Sequence, residues 1–144
     1  MSPSWGDAFF DFLSELKASG DDKYFHPHPL TKKEAFNIAN YKGKDIYCVM
    51  MEVNKVIGYG MLRGWDEGYE VPFLGVAISP RKRGKGAGKL LIRFLHDVAR
   101  NKKAQIIRLK VYKNNEVAIK MYKSLGYKFD DWNDNKQLIG TVKL

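Results

Sequence analysis

Residues 81–90, RKRGKGAGKL, place five basic side chains and three glycines directly after the apolar run FLGVAI. An apolar run of this length, bounded by turn residues, is typical of a buried strand. From Ala87 to about Arg100 the apolar residues then recur at the spacing of one helix face. The sequence therefore predicts a strand, a glycine-rich turn and a helix in direct succession, a unit of α/β architecture.

This strand-to-helix turn has the features of an anion site. The first N–H groups of a helix are unpaired and point outward with the positive end of the helix dipole. The glycines leave room for a phosphate to approach the backbone, and Arg83, Lys85 and Lys89 add positive charge. The spacing matches neither a dinucleotide-binding fingerprint nor a Walker A loop, which would have Ser or Thr in place of Leu90. By spacing alone, the stretch is equally typical of a turn with solvated lysines.

The positive charge of the chain is concentrated around and after this turn. Residues 81–128 carry 15 Lys or Arg against two acids, whereas residues 1–80 carry 8 against 11. Nucleic-acid-binding surfaces interleave aromatic side chains with their cations. The only Phe, Tyr or Trp in residues 81–110 is Phe94, which belongs to the apolar stripe of the predicted helix. We therefore expect no nucleic-acid partner, and a basic nucleic-acid-binding domain is the weakest of the alternatives.

The rest of the composition indicates one domain. A chain of 144 residues with 44% hydrophobic residues is long enough for a single core, so one domain over residues 1–144 is expected. No apolar run reaches the length of a bilayer, and the start MSPSWGDAFF lacks the order of a signal peptide, which predicts a cytoplasmic protein without membrane contact. The single cysteine, Cys48, has no disulfide partner. His26 and His28 in FHPHPL lack a third metal ligand, so no metal is expected, and this rigid turn is a candidate border of a binding pocket.

The remaining elements complete an α/β (α+β) fold. Helices are predicted over DAFFDFLSEL, over TKKEAFNIANY with Thr31 as N-cap, and over NEVAIKMYKSLG with Gly126 at the C-cap. Strands are predicted over IYCVMMEV and KVIGYGML, which form a hairpin at Asn54-Lys55, and over VPFLGVAIS, IIRLKVY and QLIGTVKL. This order of elements predicts a mixed central sheet flanked by helices.

Two segments of the chain resemble the GNAT superfamily of N-acetyltransferases. The first, AISPRKRGKGAGKLL, is similar to the acetyl-CoA loop of that family, Q/R-x-x-G-x-G/A after a strand ending V-x-P, with Arg83, Gly86, Gly88 and Pro80 in the motif positions. The second, NNEVAIKMYKSLGYKF, is similar to the element N-x-x-A-x-x-x-Y-x-x-x-G-F/Y; the matching residues are Asn115, Ala118, Tyr122, Gly126 and Tyr127. The resemblance covers about residues 45–130 and implies a GNAT-like acyl-CoA N-acyltransferase fold. The family's usual first strand has no room before the helix at Asp7 and is expected to be missing.

The resemblance implies a binding site for acetyl-CoA, which is a substrate. Backbone N–H groups of residues 84–89 would hold the pyrophosphate, and the main chain of Val76, Ala77 and Ile78 would pair with the pantetheine arm like an added strand. Asn115 would hydrogen-bond the same molecule, although it is equally suited to cap the helix that follows. The implied binding residues are Val76, Ala77, Ile78, Arg83, Gly84, Lys85, Gly86, Ala87, Gly88, Lys89 and Asn115.

The resemblance also implies the reaction, a direct transfer of the acetyl group to a primary amine of a small molecule or peptide. Tyr122 would protonate the departing thiolate, and its alternative role is that of a core tyrosine. The amine must lose a proton before it attacks. Relatives that acetylate protein N-termini carry a glutamate where this chain has Lys110, so Glu70 is the candidate base, because a regular strand would place it on the face of Pro72 and Val76.

The acceptor is predicted from the acidic residues before the cofactor strand. Asp66, Glu67 and Glu70 form an acidic cluster that favours a cationic or free-amine small molecule, although Asp66 and Glu67 are equally typical of a solvated loop. An acyl-CoA-binding regulatory module without turnover is the alternative interpretation of the same residues.

Overall fold

The computed structural model describes residues 5–131 and 136–144. Four α-helices and six strands are present in these residues. The helices are α1 (Gly6–Ala18), α2 (Lys32–Ala39), α3 (Ala87–Asn101) and α4 (Glu116–Ser124). The strands are β1 (Ile46–Glu52), β2 (Lys55–Arg63), β3 (Phe73–Ile78), β4 (Ile106–Tyr112), β5 (Lys128–Asp131) and β6 (Gln137–Lys143). None of the described helices is long and apolar enough to cross a bilayer.

The six strands form one mixed sheet in the order β1-β2-β3-β4-β6-β5. Every neighbouring pair is antiparallel except β3 and β4, which are parallel because α3 connects them as a crossover. The predicted mixed sheet flanked by helices is thus confirmed. Among the described residues, the first strand in chain order is β1, which follows α1 and α2.

Helices cover both faces of the sheet. On one face α1 and α2 pack against β2, where the Phe9 and Tyr59 rings meet edge to face with centroids 4.6 Å apart. On the other face Leu91 and Leu95 of α3 pack together with Leu109 of β4. Strand β2 is therefore buried from Val56 to Leu62, as expected for a strand between two helical layers.

Two local features differ from the sequence prediction. The hairpin turn is formed by Val53 and Asn54, at φ 44° and 61°, while Lys55 is already paired with Glu52, so the predicted turn at Asn54-Lys55 was wrong by one residue. A two-residue turn of this kind needs positive φ at both positions, which Asn tolerates but Val does not favour, so its sequence signal is weak. The short strand β5 was not identified from the sequence pattern.

The parallel pair β3 and β4 creates the main opening in the sheet. The two strands are in register only at Phe73 and Arg108, and beyond that point neither pairs with the other. Residues 74–78 of β3 and 109–112 of β4 therefore border an opening, which we call the wedge. It widens toward the carboxyl ends of both strands, where the turn from β3 to α3 begins.

Candidate active site

The edge of β3 presents unpaired backbone groups to the wedge. The Ser79 N–H donates to the Ile57 carbonyl of β2 at 2.8 Å. Because alternate residues of an antiparallel strand direct their N–H and C=O groups to the same neighbour, those of Ala77 also point toward β2. Those of Val76 and Ile78 point the opposite way, toward the wedge, where the Ile78 carbonyl already accepts from the Arg83 guanidinium and the other groups are unpaired among the described residues. Of the three residues predicted to pair with an extended ligand, two thus face the opening, whereas Ala77 is paired with Tyr59.

The turn between β3 and α3, residues 79–86, is held by ion pairs to three other elements. We call it the cofactor loop. Its first three basic side chains each contact a different acid at 2.5–2.9 Å, so their charges are largely compensated. The pairs are Arg81 with Glu15 of α1, Lys82 with Glu52 of β1, and Arg83 with Asp21, which precedes α2. Within the described part of the chain, Lys85 and Lys89 form no ion pair and are the basic groups left to attract an anion.

The glycines of this region serve two different purposes. Gly84 and Gly86 have φ +76° and +85°, and a Cβ built on either would meet no atom within 4 Å. The left-handed backbone, and not crowding by the protein, is therefore what requires glycine there. At Gly88 a Cβ would lie 3.2 Å from the Met121 sulfur, so this glycine lets α3 pack closely against the flexible Met121 side chain of α4. Access of a phosphate, the reason expected from the sequence for all three glycines, is therefore not the only reason for glycine here.

The first turn of α3 fits an anion. The helix begins at Ala87 after Gly86, and no side chain caps its N-terminus. Its leading N–H groups therefore point outward without a side-chain acceptor, next to Lys85 and Lys89 and at the wide end of the wedge.

Tyr122 of α4 has a buried ring and an unengaged hydroxyl. The residue is 7% exposed, and its ring packs edge to face on Tyr127 at 5.5 Å. The hydroxyl makes no hydrogen bond to any described residue. Every fully buried polar side-chain atom among the described residues does have a hydrogen-bond partner, so the Tyr122 hydroxyl is not fully buried and must reach solvent. Burial raises the pKa of Tyr122, which keeps the hydroxyl protonated at neutral pH and able to donate a proton.

Asn115 occupies the N-cap position of α4. Its Oδ1 accepts a hydrogen bond from the Ala118 N–H at 3.4 Å, and its own N–H donates to the Tyr112 carbonyl at 3.0 Å. The capping role expected from the sequence is confirmed, and the contact with acetyl-CoA stays a prediction.

The acidic cluster before β3 does not act as one group. Asp66 accepts hydrogen bonds from the Tyr41 hydroxyl and, at 2.7 Å, from the Lys44 N–H, so its carboxylate holds the loop before β1. The loop interpretation of Asp66 is therefore the one that the contacts support. Glu67 and Glu70 are exposed. Strand β3 begins only at Phe73, so the alternation used to place Glu70 beside Pro72 does not extend to it, and its role as base stays a prediction.

A segment from the loop between α1 and α2 crosses the wedge. His28 Nδ1 donates to the Pro29 carbonyl at 2.8 Å, so its Nε2 accepts from the Tyr59 hydroxyl of β2 at 2.9 Å. His26 Nε2 lies 2.8 Å from the Tyr112 hydroxyl at the end of β4. Because β3 and the wedge lie between β2 and β4, residues 24–28 pass over both, and we call them the bridging segment.

Sequence reasoning marked this segment as a candidate pocket border but missed its partners. Tyr59 and Tyr112 are separated from their histidines by 31 and 86 residues, and no local pattern connects groups so far apart. Burial lowers the pKa of His28, which fits the neutral ring that these two hydrogen bonds require. Within residues 5–131 and 136–144, no three His, Cys, Asp or Glu side chains are placed to hold a metal ion.

Comparison with known proteins adds a family and a fold. Residues 10–127 match the sequence profile of the acetyltransferase (GNAT) family. A segment of 77 residues is 36% identical to the N-terminal acetyltransferase B complex catalytic subunit NAA20 of Arabidopsis thaliana. That match covers 51% of this chain and 44% of the relative, so it spans less than half of the length of the relative.

Two solved structures share the fold. The PaiA N-acetyltransferase of Thermoplasma acidophilum, in complex with coenzyme A, has a TM-score of 0.78 at 16% identity, over 100% of this chain and 96% of that chain. The GNAT domain of S. lividans PAT has a TM-score of 0.86 at 12% identity, over 100% of this chain and 88% of that chain.

Proposed function

Because the chain belongs to the acetyltransferase (GNAT) family, we propose that it transfers the acetyl group of acetyl-CoA to a primary amine of a small molecule or peptide. The observation that carries this proposal is the meeting of an open strand edge with an uncapped helix N-terminus at one end of the wedge. Coenzyme A combines a pantetheine arm, whose amides match a strand edge, with a pyrophosphate, which matches a helix N-terminus.

Different groups of the protein bind different parts of coenzyme A. The backbone groups of Val76 and the N–H of Ile78 offer hydrogen bonds to the arm along the edge of β3, while the Ile78 carbonyl accepts from Arg83. The N–H groups of residues 84–89 and the ammonium groups of Lys85 and Lys89 attract the phosphates. Asn115, at the far side of the wedge on the N-terminus of α4, keeps its amide NH₂ as a further donor.

The reaction proceeds by direct attack. The amine nitrogen uses its lone pair to form a bond to the thioester carbonyl carbon, the carbon–sulfur bond breaks, and the electron pair leaves on sulfur. Before the attack a base takes one proton from the ammonium form of the amine, which frees this lone pair, and after the attack the nitrogen loses a second proton to solvent. The Tyr122 hydroxyl protonates the sulfur and recovers its proton from solvent. The products are an N-acetyl amide and free coenzyme A.

The proton of the amine requires an acceptor on the entry side of the site. Glu70 is our candidate, either directly or through a water molecule, because its exposure leaves the carboxyl group reachable. Glu67 lies three residues earlier on the same exposed turn and adds negative charge, which favours a cationic amine over an acidic acceptor.

The proposal is tested in two steps with the purified protein. Isothermal titration with coenzyme A first measures binding without any acceptor. A screen with acetyl-CoA over polyamines, amino sugars, amino acids, aminoglycosides and peptide N-termini then measures free thiol, and we expect release that depends on the amine. Coenzyme A binding without thiol release for every amine class would indicate the regulatory module, and absence of coenzyme A binding would refute both functions.

A further inference from the structure

We propose that Arg83 is a positioning residue and not a phosphate ligand: through Asp21 it connects the cofactor loop to the bridging segment, so that binding of coenzyme A tightens the segment over the wedge. The inference rests on the function proposed above, because it concerns the site assigned to coenzyme A. It differs from the role that the sequence motif implies for Arg83.

The guanidinium of Arg83 makes most of its hydrogen bonds within the protein. Its Nε and Nη2 donate to the Ile78 carbonyl at 3.2 and 3.0 Å, at the end of β3. Its Nη1 and Nη2 also contact the two carboxylate oxygens of Asp21 at 3.0 and 2.9 Å. These contacts use four of the five guanidinium N–H groups and leave one on Nη1, so a two-pronged contact with a phosphate would require some of these bonds to break.

Asp21 carries the connection onward through its backbone. Its carbonyl accepts the N–H groups of Tyr24 and Phe25, both at 3.0 Å, at the start of the bridging segment. Its side chain also accepts from the Ser19 hydroxyl. Although burial raises the pKa of Asp21, the hydrogen bonds from Arg83 and Ser19 hold it below its usual value, so the carboxylate is ionised at neutral pH.

The bridging segment then spans the wedge and β3, from β4 to β2. His26 contacts Tyr112 of β4, His28 contacts Tyr59 of β2, and Arg63 of β2 donates to the Pro27 carbonyl at 2.8 Å. One ion pair thus connects the cofactor loop to a segment that closes one face of the opening. The other two loop pairs lead away from the wedge, since Arg81 contacts α1 and Lys82 contacts β1.

The direction in which Asp21→Asn changes the affinity for coenzyme A distinguishes the two roles of Arg83. Asp21→Asn removes a negative charge near an anion site and releases Arg83 from its partner. If Arg83 were a phosphate ligand, both effects would keep or strengthen the binding of coenzyme A. If Arg83 is a positioning residue, the loop loses its anchor and the binding weakens.

The experiment measures coenzyme A affinity by titration calorimetry and the hydrogen exchange of the Tyr24 and Phe25 amides with and without coenzyme A. In the wild type we expect coenzyme A to slow the exchange of both amides. In Asp21→Asn we expect affinity to fall by about threefold to fivefold, the scale of a partly exposed ion pair, and the slowing to disappear. Glu52→Gln is the matched control, because it removes the acid of β1 that pairs with Lys82 of the same loop and should retain both the affinity and the slowing.

Arg83→Lys is the second variant, and it also serves if Asp21→Asn does not fold. Lysine keeps the charge that a phosphate would attract, but a single ammonium lacks the guanidinium fork, so we expect the same loss of affinity as in Asp21→Asn. Affinity in either variant equal to or tighter than that of the wild type would overturn the proposal. So would wild-type amides whose exchange does not respond to bound coenzyme A. If the wild type does not bind coenzyme A at all, it is the proposed function that fails.

Discussion

Replacing Gly86 by alanine should lower either the stability of the protein or its affinity for coenzyme A, while leaving the protein folded. Gly86 has φ +85°, and an added Cβ would meet no protein atom within 4 Å, so the whole cost is backbone strain. A left-handed conformation costs an L-residue roughly 1–2 kcal/mol. If the loop keeps its conformation, stability falls by about that amount, which lowers the melting temperature by roughly 2–8 °C.

If the loop instead relaxes, the strain is paid when coenzyme A binds. Gly86 directly precedes α3, so relaxation turns the leading N–H groups of the helix away from the phosphates. Restoring them costs the same roughly 1–2 kcal/mol, and the dissociation constant for coenzyme A rises about 5-fold to 30-fold. The strain therefore lowers the free energy of unfolding, the affinity for coenzyme A, or both.

Gly88→Ala is the control with the same chemical change. Gly88 has no positive φ, and its Cβ would press only on the flexible Met121 side chain at 3.2 Å. Alanine inside a helix gains up to about 1 kcal/mol over glycine, which offsets this contact. Calorimetric titration and thermal unfolding of both variants check the reasoning. Normal stability and affinity in Gly86→Ala, together with weaker binding in Gly88→Ala, would show that access to the backbone matters and the left-handed conformation does not.

Three further perturbations concern the chemistry and the bridging segment. Tyr122→Phe should lower turnover by about 100-fold at unchanged coenzyme A affinity, because it deletes a proton donor that has no partner among the described residues; unchanged turnover with chemistry rate-limiting would make Tyr122 a core residue only. Glu70→Gln should lower turnover at unchanged coenzyme A affinity, because it deletes the proton acceptor, and unchanged turnover would exclude Glu70 as base. Because burial holds the pKa of His28 below its usual 6.5, its neutral ring contributes stability that is complete above pH 6.5 and lost as pH falls through the lower folded value. Denaturant midpoints at pH 7.5 and 5.5 should therefore differ less in His28→Gln than in the wild type, with the exposed His26→Gln as control.

Local sequence patterns predicted most of the elements correctly. Thr31 caps α2 as expected, accepting a hydrogen bond from the Glu34 N–H at 3.2 Å, and Asn115 caps α4. These features depend on groups three residues apart, so the chain specifies them before it folds. Strand β4 buries alternate residues, so its apolar pattern identified it. The turn at Val53 and Asn54 was harder to identify, because only Asn54 is a residue type that favours positive φ.

The candidate site was predicted less completely than the fold. The motif residues predicted where a phosphate would bind, and Gly84 and Gly86 do adopt the left-handed backbone of such a turn. The strand alternation assumed for Glu70 fails because the chain turns before β3, and a short apolar stretch does not show where its strand begins.

By itself the sequence determined the strand, turn and helix of residues 73–101, because glycine at positive φ, strand alternation and helical periodicity act over a few neighbouring residues. Only the tertiary structure decided which cations of the loop stay unpaired. Arg83 and Lys85 are two residues apart and equivalent in a local reading, but packing brings Asp21, 62 residues before Arg83, to within 3.0 Å of one and not the other. Charge attraction acts through space, so the partner of a charged side chain depends on which elements the hydrophobic core places beside it.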